Sequence, residues 1–203
     1  GREMSRFRDS KFSSLKEYVP GEQPQDKKYI KLNTNESPFP PSPSVIKAVS
    51  SEEVSKLNLY SDPECKVLKE TLAKHYGVAT ENVFLSNGSD EILNFAFMAF
   101  CDGTHPAAFA DITYGFYPVF AQLNGVPYKE FSLKEDFTYD LDDYMGTNDT
   151  VFIANPNAPT GLFEDLSTVE EILEANRDVV VIVDEAYVDF GGESCLPLLE
   201  KYD

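Results

Sequence analysis

Basic residues are scarce in this chain of 203 residues: 17 Lys and Arg face 35 Asp and Glu, for a net charge of -18. Nucleic acids and anionic membrane surfaces select basic proteins, so neither is expected as a partner. A phosphate group would have to be held locally, by backbone N–H groups, against the overall field. Cysteine occurs three times, at Cys65, Cys101 and Cys195, which is neither an even disulfide set nor a metal-ligand spacing. Cys101 lies in an apolar run, as a small core residue does. The two histidines, His75 and His105, have no ligand partners at a useful spacing, so both read as structural and no metal site is expected. No apolar run approaches the roughly 20 residues of a membrane-spanning helix, and no signal-peptide pattern opens the chain. The expectation is a soluble, cytoplasmic protein. Gly1 to Glu3, ahead of Met4, read as an appended remnant. No internal repeat or low-complexity tract is found.

What is present is enough for a core: 42% of residues are hydrophobic, with 15 Phe and 11 Tyr, which excludes disorder. The length fits one ordinary domain or part of a two-domain protein. Val179 to Val183 is five aliphatic residues without alternation, the pattern of a strand covered on both faces in a parallel sheet. The run stops at Asp184-Glu-Ala-Tyr187. Ligands of open α/β sheets bind beyond the carboxyl ends of the strands, so Asp184 is aimed at a ligand position. Three readings apply to such an acid. It can hold magnesium in a P-loop protein, but the chain has no Gly-x-x-x-x-Gly-Lys-Ser/Thr loop. It can pair with the ring nitrogen of pyridoxal phosphate, or it can simply end a strand.

Other polar clusters share this setting. Residues 1–28 are polar and aperiodic, followed by a short strand from Tyr29 that Pro38, Pro40 and Pro41 break. Ser42 or Ser44 caps a helix carrying Val45, Ile46 and Val49. A second helix places Val67, Leu68, Leu72 and Tyr76 on one stripe and stops at Gly77. Val83 to Ser86 reads as a strand, and Asn87-Gly-Ser-Asp-Glu91 leads into an apolar helix, Ile92 to Phe100. A glycine turn before a helix start makes an anion cradle; the same residues also fit an ordinary capping box at Ser89 or Asp90. Ala107 to Ala110 is a strand, and the loop after it carries Thr113-Tyr114, where Tyr114 can stack on a planar ligand or cover the core edge. A helix to Asn124, a strand from Val126 to Ser132 and an acidic, exposed stretch from Glu135 to Asp149 follow. A buried strand from Val151 then meets the rigid loop Asn155-Pro-Asn-Ala-Pro-Thr-Gly161, whose two asparagines offer amides. Helix Ser167 to Asn176 crosses over to the Val179 strand.

The clusters Asn87-Gly-Ser-Asp-Glu91, Thr113-Tyr114, Asn155-Pro-Asn-Ala-Pro-Thr-Gly161 and Asp184-Glu-Ala-Tyr187, with Asn33-Thr-Asn-Glu36 and Tyr60-Ser-Asp-Pro63, stand in a familiar order and spacing. The chain from about Ile30 onward resembles the fold type I pyridoxal-phosphate aminotransferases, and within them the histidinol-phosphate aminotransferases. The resemblance implies an α/β three-layer sandwich with a mainly parallel sheet, incomplete here. It implies an N-terminal arm and small-domain segment over residues 1–42 and a cofactor-binding large domain over 43–203. By the same resemblance Asp184 pairs with the pyridinium nitrogen, Tyr187 and Asn157 bond the ring's phenolic oxygen, and Tyr114 stacks on the ring. Ser89 and Asp90 hold the phosphate, Tyr60 reaches the phosphate of the neighbouring subunit's cofactor in a homodimer, and Asn35 lines the substrate side. The implied reaction is transamination between histidinol phosphate and 2-oxoglutarate. Aromatic aminotransferases and phospho-amino-acid decarboxylases share this pattern, and a noncatalytic fragment is the reading from another class.

Three departures from the family pattern stand out. Ala158 replaces the third asparagine of the family's Asn-Pro-Asn-Asn-Pro-Thr-Gly loop, and Ile112 stands where many relatives carry proline. The family's Schiff-base lysine and its carboxylate-binding arginine belong to motifs not found in these 203 residues, and no lysine here, Lys201 included, has the required context. The chain alone is therefore expected to be inactive.

Overall fold

A computed structural model of the chain describes residues 9–15, 19, 21–50 and 52–202. The remnant expected at Gly1 to Glu3 lies outside them. The chain divides into two compact units, one of Gly1–Leu15 with Phe84–Asp203 and the other of Lys16–Val83.

The smaller unit holds helices α1 (Pro43–Ser50), α2 (Glu52–Ser55) and α3 (Lys66–Tyr76), followed by a 3-10 turn at Thr80–Asn82. Ser42 caps α1, its Oγ accepting from the Val45 N–H at 3.4 Å. Gly77 ends α3 with φ +69°, a left-handed conformation that costs glycine nothing. Tyr29 to Leu32 forms no strand, contrary to expectation, because no neighbouring segment pairs with it among the described residues. The α3 stripe also differs: Val67, Leu68 and Tyr76 are exposed, and Ala73 is the buried residue of this helix.

The larger unit is a sandwich of three layers. Its elements run α4 (Gly88–Phe100), β1 (Ala107–Ala110), α5 (Tyr117–Leu123), β2 (Tyr128–Phe131), α6 (Leu141–Tyr144), β3 (Thr150–Ala154), α7 (Leu166–Ala175) and β4 (Val181–Asp184). All pairings are parallel, in the order β2-β1-β3-β4. Side chains alternate across a strand, so β3 sends Phe152 and Ala154 to one face and Val151 and Ile153 to the other. The first face packs under α4 and α5 around Phe97, Phe109, Tyr117 and Phe120. The second packs with Tyr139, Tyr144 of α6 and Ile172 of α7. Phe97 and Phe152 stack at 4.3 Å between ring centres, both at most 1% exposed. Burial on both faces explains why β3 reads as an unbroken apolar run.

Three expectations change here. Val83 to Ser86 is extended but pairs with no strand among the described residues. The stretch from Glu135 to Asp149 is not wholly exposed, since Tyr139, Tyr144 and Asp149 are buried and Lys129 reaches Asp149 at 3.0 Å. The strand expected at Val179 to Val183 begins two residues later and takes in Asp184, whose partner across the ladder is Ala154. Among the described residues β4 pairs on one side only, and its residues are half-buried rather than sealed.

Candidate active site

The sheet order reverses direction between β1 and β3, because β2 lies on the far side of β1 while β3 and β4 lie on the other. Beyond the carboxyl ends of strands at such a switch point, diverging loops leave a crevice. Ser89, Tyr114, Ala154, Pro156, Ala158, Asp184, Ala186 and Tyr187 line one there.

Asp184 ends β4, and its backbone is fixed by the Asn155 N–H, which donates to the Asp184 carbonyl at 2.9 Å. Its carboxylate accepts from the Ala186 N–H at 3.1 Å through Oδ1 and from the Tyr117 hydroxyl at 2.7 Å through Oδ2. A carboxylate has about four acceptor positions, so it keeps capacity for a donor in the cleft. Tyr187 follows at the start of a 3-10 turn, Val188–Phe190, and lines the same cleft. Glu185 ties this segment down from behind: its carboxylate accepts from Ser194 Oγ at 2.8 Å and from the Cys195 N–H at 2.6 Å.

Tyr114 enters after β1. Its hydroxyl donates to Asp90 Oδ1 at 2.5 Å, and its ring stacks near Phe116 at 5.7 Å. Asp90 Oδ1 is thus taken by a phenol, and its place in the first turn of α4 keeps it beside the N–H groups at that helix start. An anionic side chain would repel a phosphate, whereas the N–H groups of the same turn attract one. Asn87 makes no side-chain cap on α4, and Glu91 accepts the Asn87 N–H at 2.5 Å, so neither Ser89 nor Asp90 closes a capping box. The first N–H groups of a helix lack intrahelical partners; that of Gly88 donates to the Ser86 carbonyl at 3.1 Å, and the next residue, Ser89, lines the cleft.

Asn157 is 3% exposed and lies behind the cleft lining. It joins the loops after β1 and β3: its Oδ1 accepts from Thr113 Oγ1 at 2.7 Å and its Nδ2 donates to the Ile112 carbonyl at 2.9 Å. Asn155 braces the other end, exchanging hydrogen bonds with Glu164 at 2.8 and 3.1 Å. The peptide bonds before Pro156 and Pro159 are cis. Tyr60 and Asn35 belong to the smaller unit, where Tyr60 is fully exposed and Asn35 has φ +54°. Sequence reasoning missed Tyr117, 0% exposed beneath Asp184; nothing local separates it from the other aromatics of α5. It also missed the small walls Ala154 and Ala186, which carry no chemical signature.

These residues suit a flat, anionic, nitrogen-containing ring. A carboxylate sits at one end, two tyrosines reach the same cleft, alanine and proline form low walls, and a helix start offers N–H groups. Among the described residues no group of acids, cysteines or histidines is arranged to hold a metal, and no helix is long and apolar enough to cross a membrane. Lys201 is occupied elsewhere, its Nζ 2.8 Å from Glu170.

The chain is 52% identical to histidinol-phosphate aminotransferase of Clostridium acetobutylicum over 199 residues, covering 98% of this chain and 56% of that one. It is 54% identical to the enzyme of that name from Marinomonas sp. over 200 residues, with 98% and 57% covered. It thus spans about half the length of the curated relatives it matches. Among solved structures, histidinol-phosphate aminotransferase from Sinorhizobium meliloti in complex with pyridoxal-5'-phosphate superposes with a TM-score of 0.72 at 26% identity, over 77% of this chain and 44% of that one. The model of the family "Aminotransferase class I and II" matches residues 27–203. A parallel three-layer sandwich with its cleft at the switch point, matched over most of its length by that model, makes this chain a member of the class I and II aminotransferase family.

Proposed function

We propose that the whole protein is a pyridoxal-phosphate-dependent aminotransferase that exchanges an amino group between histidinol phosphate and 2-oxoglutarate in histidine biosynthesis. The observation that carries this reading is Asp184, a carboxylate held by Tyr117 and the Ala186 N–H in the cleft that Tyr114, Tyr187 and Ser89 also line. When bound, the cofactor supplies an electron-poor ring that withdraws charge from the substrate's α-carbon. Asp184 keeps the ring nitrogen protonated, which sustains that withdrawal. Tyr114 covers one ring face, and Tyr187 orients the ring through its phenolic oxygen, with Asn157 supporting from behind. Ser89 and the N–H groups of the first turn of α4 hold the phosphate, and Asp90 acts by anchoring Tyr114.

The remaining assignments rest on the family resemblance. Tyr60, fully exposed, reaches the phosphate in a neighbouring subunit of a homodimer, and Asn35 lines the substrate side. Residues 1–42 serve as arm and small-domain segment and 43–203 as the cofactor domain, in a cytoplasmic enzyme. The test is formation of glutamate from 2-oxoglutarate by the whole protein with histidinol phosphate as donor, against aromatic amino acids at equal concentration. A preference of at least tenfold for histidinol phosphate is expected; equal or better use of an aromatic donor overturns the assignment.

A further inference from the structure

We infer that Tyr117 is a positioning residue for the cofactor's ring nitrogen, acting through Asp184; this rests on the cofactor reading given above.

Tyr117 opens α5 under the sheet end, 0% exposed, with its hydroxyl 2.7 Å from Asp184 Oδ2. Three aromatic rings fix its own: Phe109 at 5.6 Å, Phe152 at 5.7 Å and Tyr114 edge-on at 5.8 Å. The hydroxyl is therefore delivered to one spot by packing from β1, β3 and the β1 loop. A phenol held this way donates without carrying charge. Burial, and then the neighbouring Asp184 charge, push its ionisation far above the ordinary tyrosine range, so it stays a donor at every working pH.

Two donors from different elements hold Asp184: a backbone N–H two residues on and a phenol 67 positions earlier. Hydrogen bonds to a charged acceptor are shorter and stronger than neutral ones and set its direction. With Oδ2 held from below and Oδ1 held by Ala186, the carboxylate cannot rotate freely about its bond to Cβ. Its remaining acceptor capacity is left for the cleft that Asp184 lines. Removing the phenol frees that rotation and admits water to the carboxylate.

The experiment follows the ¹⁵N shift of ring-labelled pyridoxal phosphate bound to the whole protein as a function of pH, alongside its dissociation constant and the thermal midpoint. Wild type should keep the ring nitrogen protonated across the neutral range. Tyr117→Phe, which retains the ring, should lower the midpoint of ring-nitrogen deprotonation by about one pH unit, because a carboxylate free to rotate and hydrate pairs less well with the ring nitrogen. In an Asp184→Asn background the same change should add nothing to the midpoint, because its route is gone. Should Tyr117→Phe fold poorly, 3-fluorotyrosine at position 117 retains the packing and strengthens the donor, which draws charge from the carboxylate, and it should lower the midpoint measurably but by less than Tyr117→Phe. An unaltered midpoint in folded Tyr117→Phe or in the fluorotyrosine protein, whatever happens to stability, makes Tyr117 a packing residue and overturns this inference alone. Absence of cofactor binding by wild type overturns the cofactor reading, and this inference with it.

Discussion

The Tyr114 hydroxyl donates to Asp90 Oδ1 at 2.5 Å, so the first turn of α4 holds the aromatic ring that follows β1. Two segments separated by 24 positions are joined at the cleft mouth by one charge-assisted bond. Tyr114→Phe keeps the ring beside Phe116 and loses this anchor. A hydrogen bond near the surface contributes about 1 kcal/mol, so cofactor affinity should fall about fivefold, and Asp90→Asn should weaken it less. Titration of cofactor fluorescence measures both. A loss beyond a hundredfold for Tyr114→Phe would mean that the hydroxyl touches the cofactor itself.

Asp184 should matter far more. In the whole protein Asp184→Ala removes the anion opposite the ring nitrogen, and about 2 to 4 kcal/mol of transition-state stabilisation lost corresponds to roughly thirty- to a thousandfold in rate. Asp184→Glu should recover little, because its longer side chain cannot meet Tyr117 and the Ala186 N–H together. Steady-state kinetics on folded, cofactor-loaded variants decide the matter; near-normal turnover by Asp184→Ala would reduce Asp184 to a strand-ending acid.

The 203 residues themselves should bind pyridoxal phosphate without a covalent link. No lysine lines the cleft among the described residues, and Lys201 is paired with Glu170. Borohydride treatment followed by peptide mass spectrometry should show no stoichiometric pyridoxyl group, and the same chain should show no turnover above free cofactor. One lysine fully modified in a cofactor-dependent way would refute this.

The cysteines should separate by reactivity. Burial, then the Glu185 carboxylate beside it, push the Cys195 thiol up to about 12, and burial also raises Cys101, whereas Cys65 is exposed. Thiolate is the reactive form, so iodoacetamide at about pH 8 should label Cys65 well before Cys195 and Cys101. Because the folded state holds the Cys195 proton more tightly than the unfolded chain, its contribution to stability is complete below pH 9 and is lost as pH rises towards 12. Alkylation kinetics by mass spectrometry check the order, and equal rates at Cys65 and Cys195 would contradict it.

Local pattern alone determined β3, whose apolar run from Val151 to Ala154 is buried on both faces, and it located Asp184, Ser89 and Tyr114 at the ends and turns where a cleft forms, while Tyr187 came from the family resemblance. Those residues carry polar chemistry against an apolar background, so period and composition expose them. Order and spacing of the clusters carried the family resemblance. Tertiary structure decided the rest, because strands and cleft walls are defined by partners distant in the chain. Val83 to Ser86 has strand composition but no ladder to join, and the Val179 run shifts to Val181–Asp184 because β3 sets its register. The bonds from Tyr114 to Asp90 and from Thr113 to Asn157, and from Asn157 to the Ile112 carbonyl, likewise appear only once distant loops meet. Tyr117 has no distinguishing mark in the sequence; packing from β1 and β3 delivers its hydroxyl to Asp184. A hydrogen bond across 67 positions has no signature in either segment, since it exists only after the sheet has brought both strand ends to one edge.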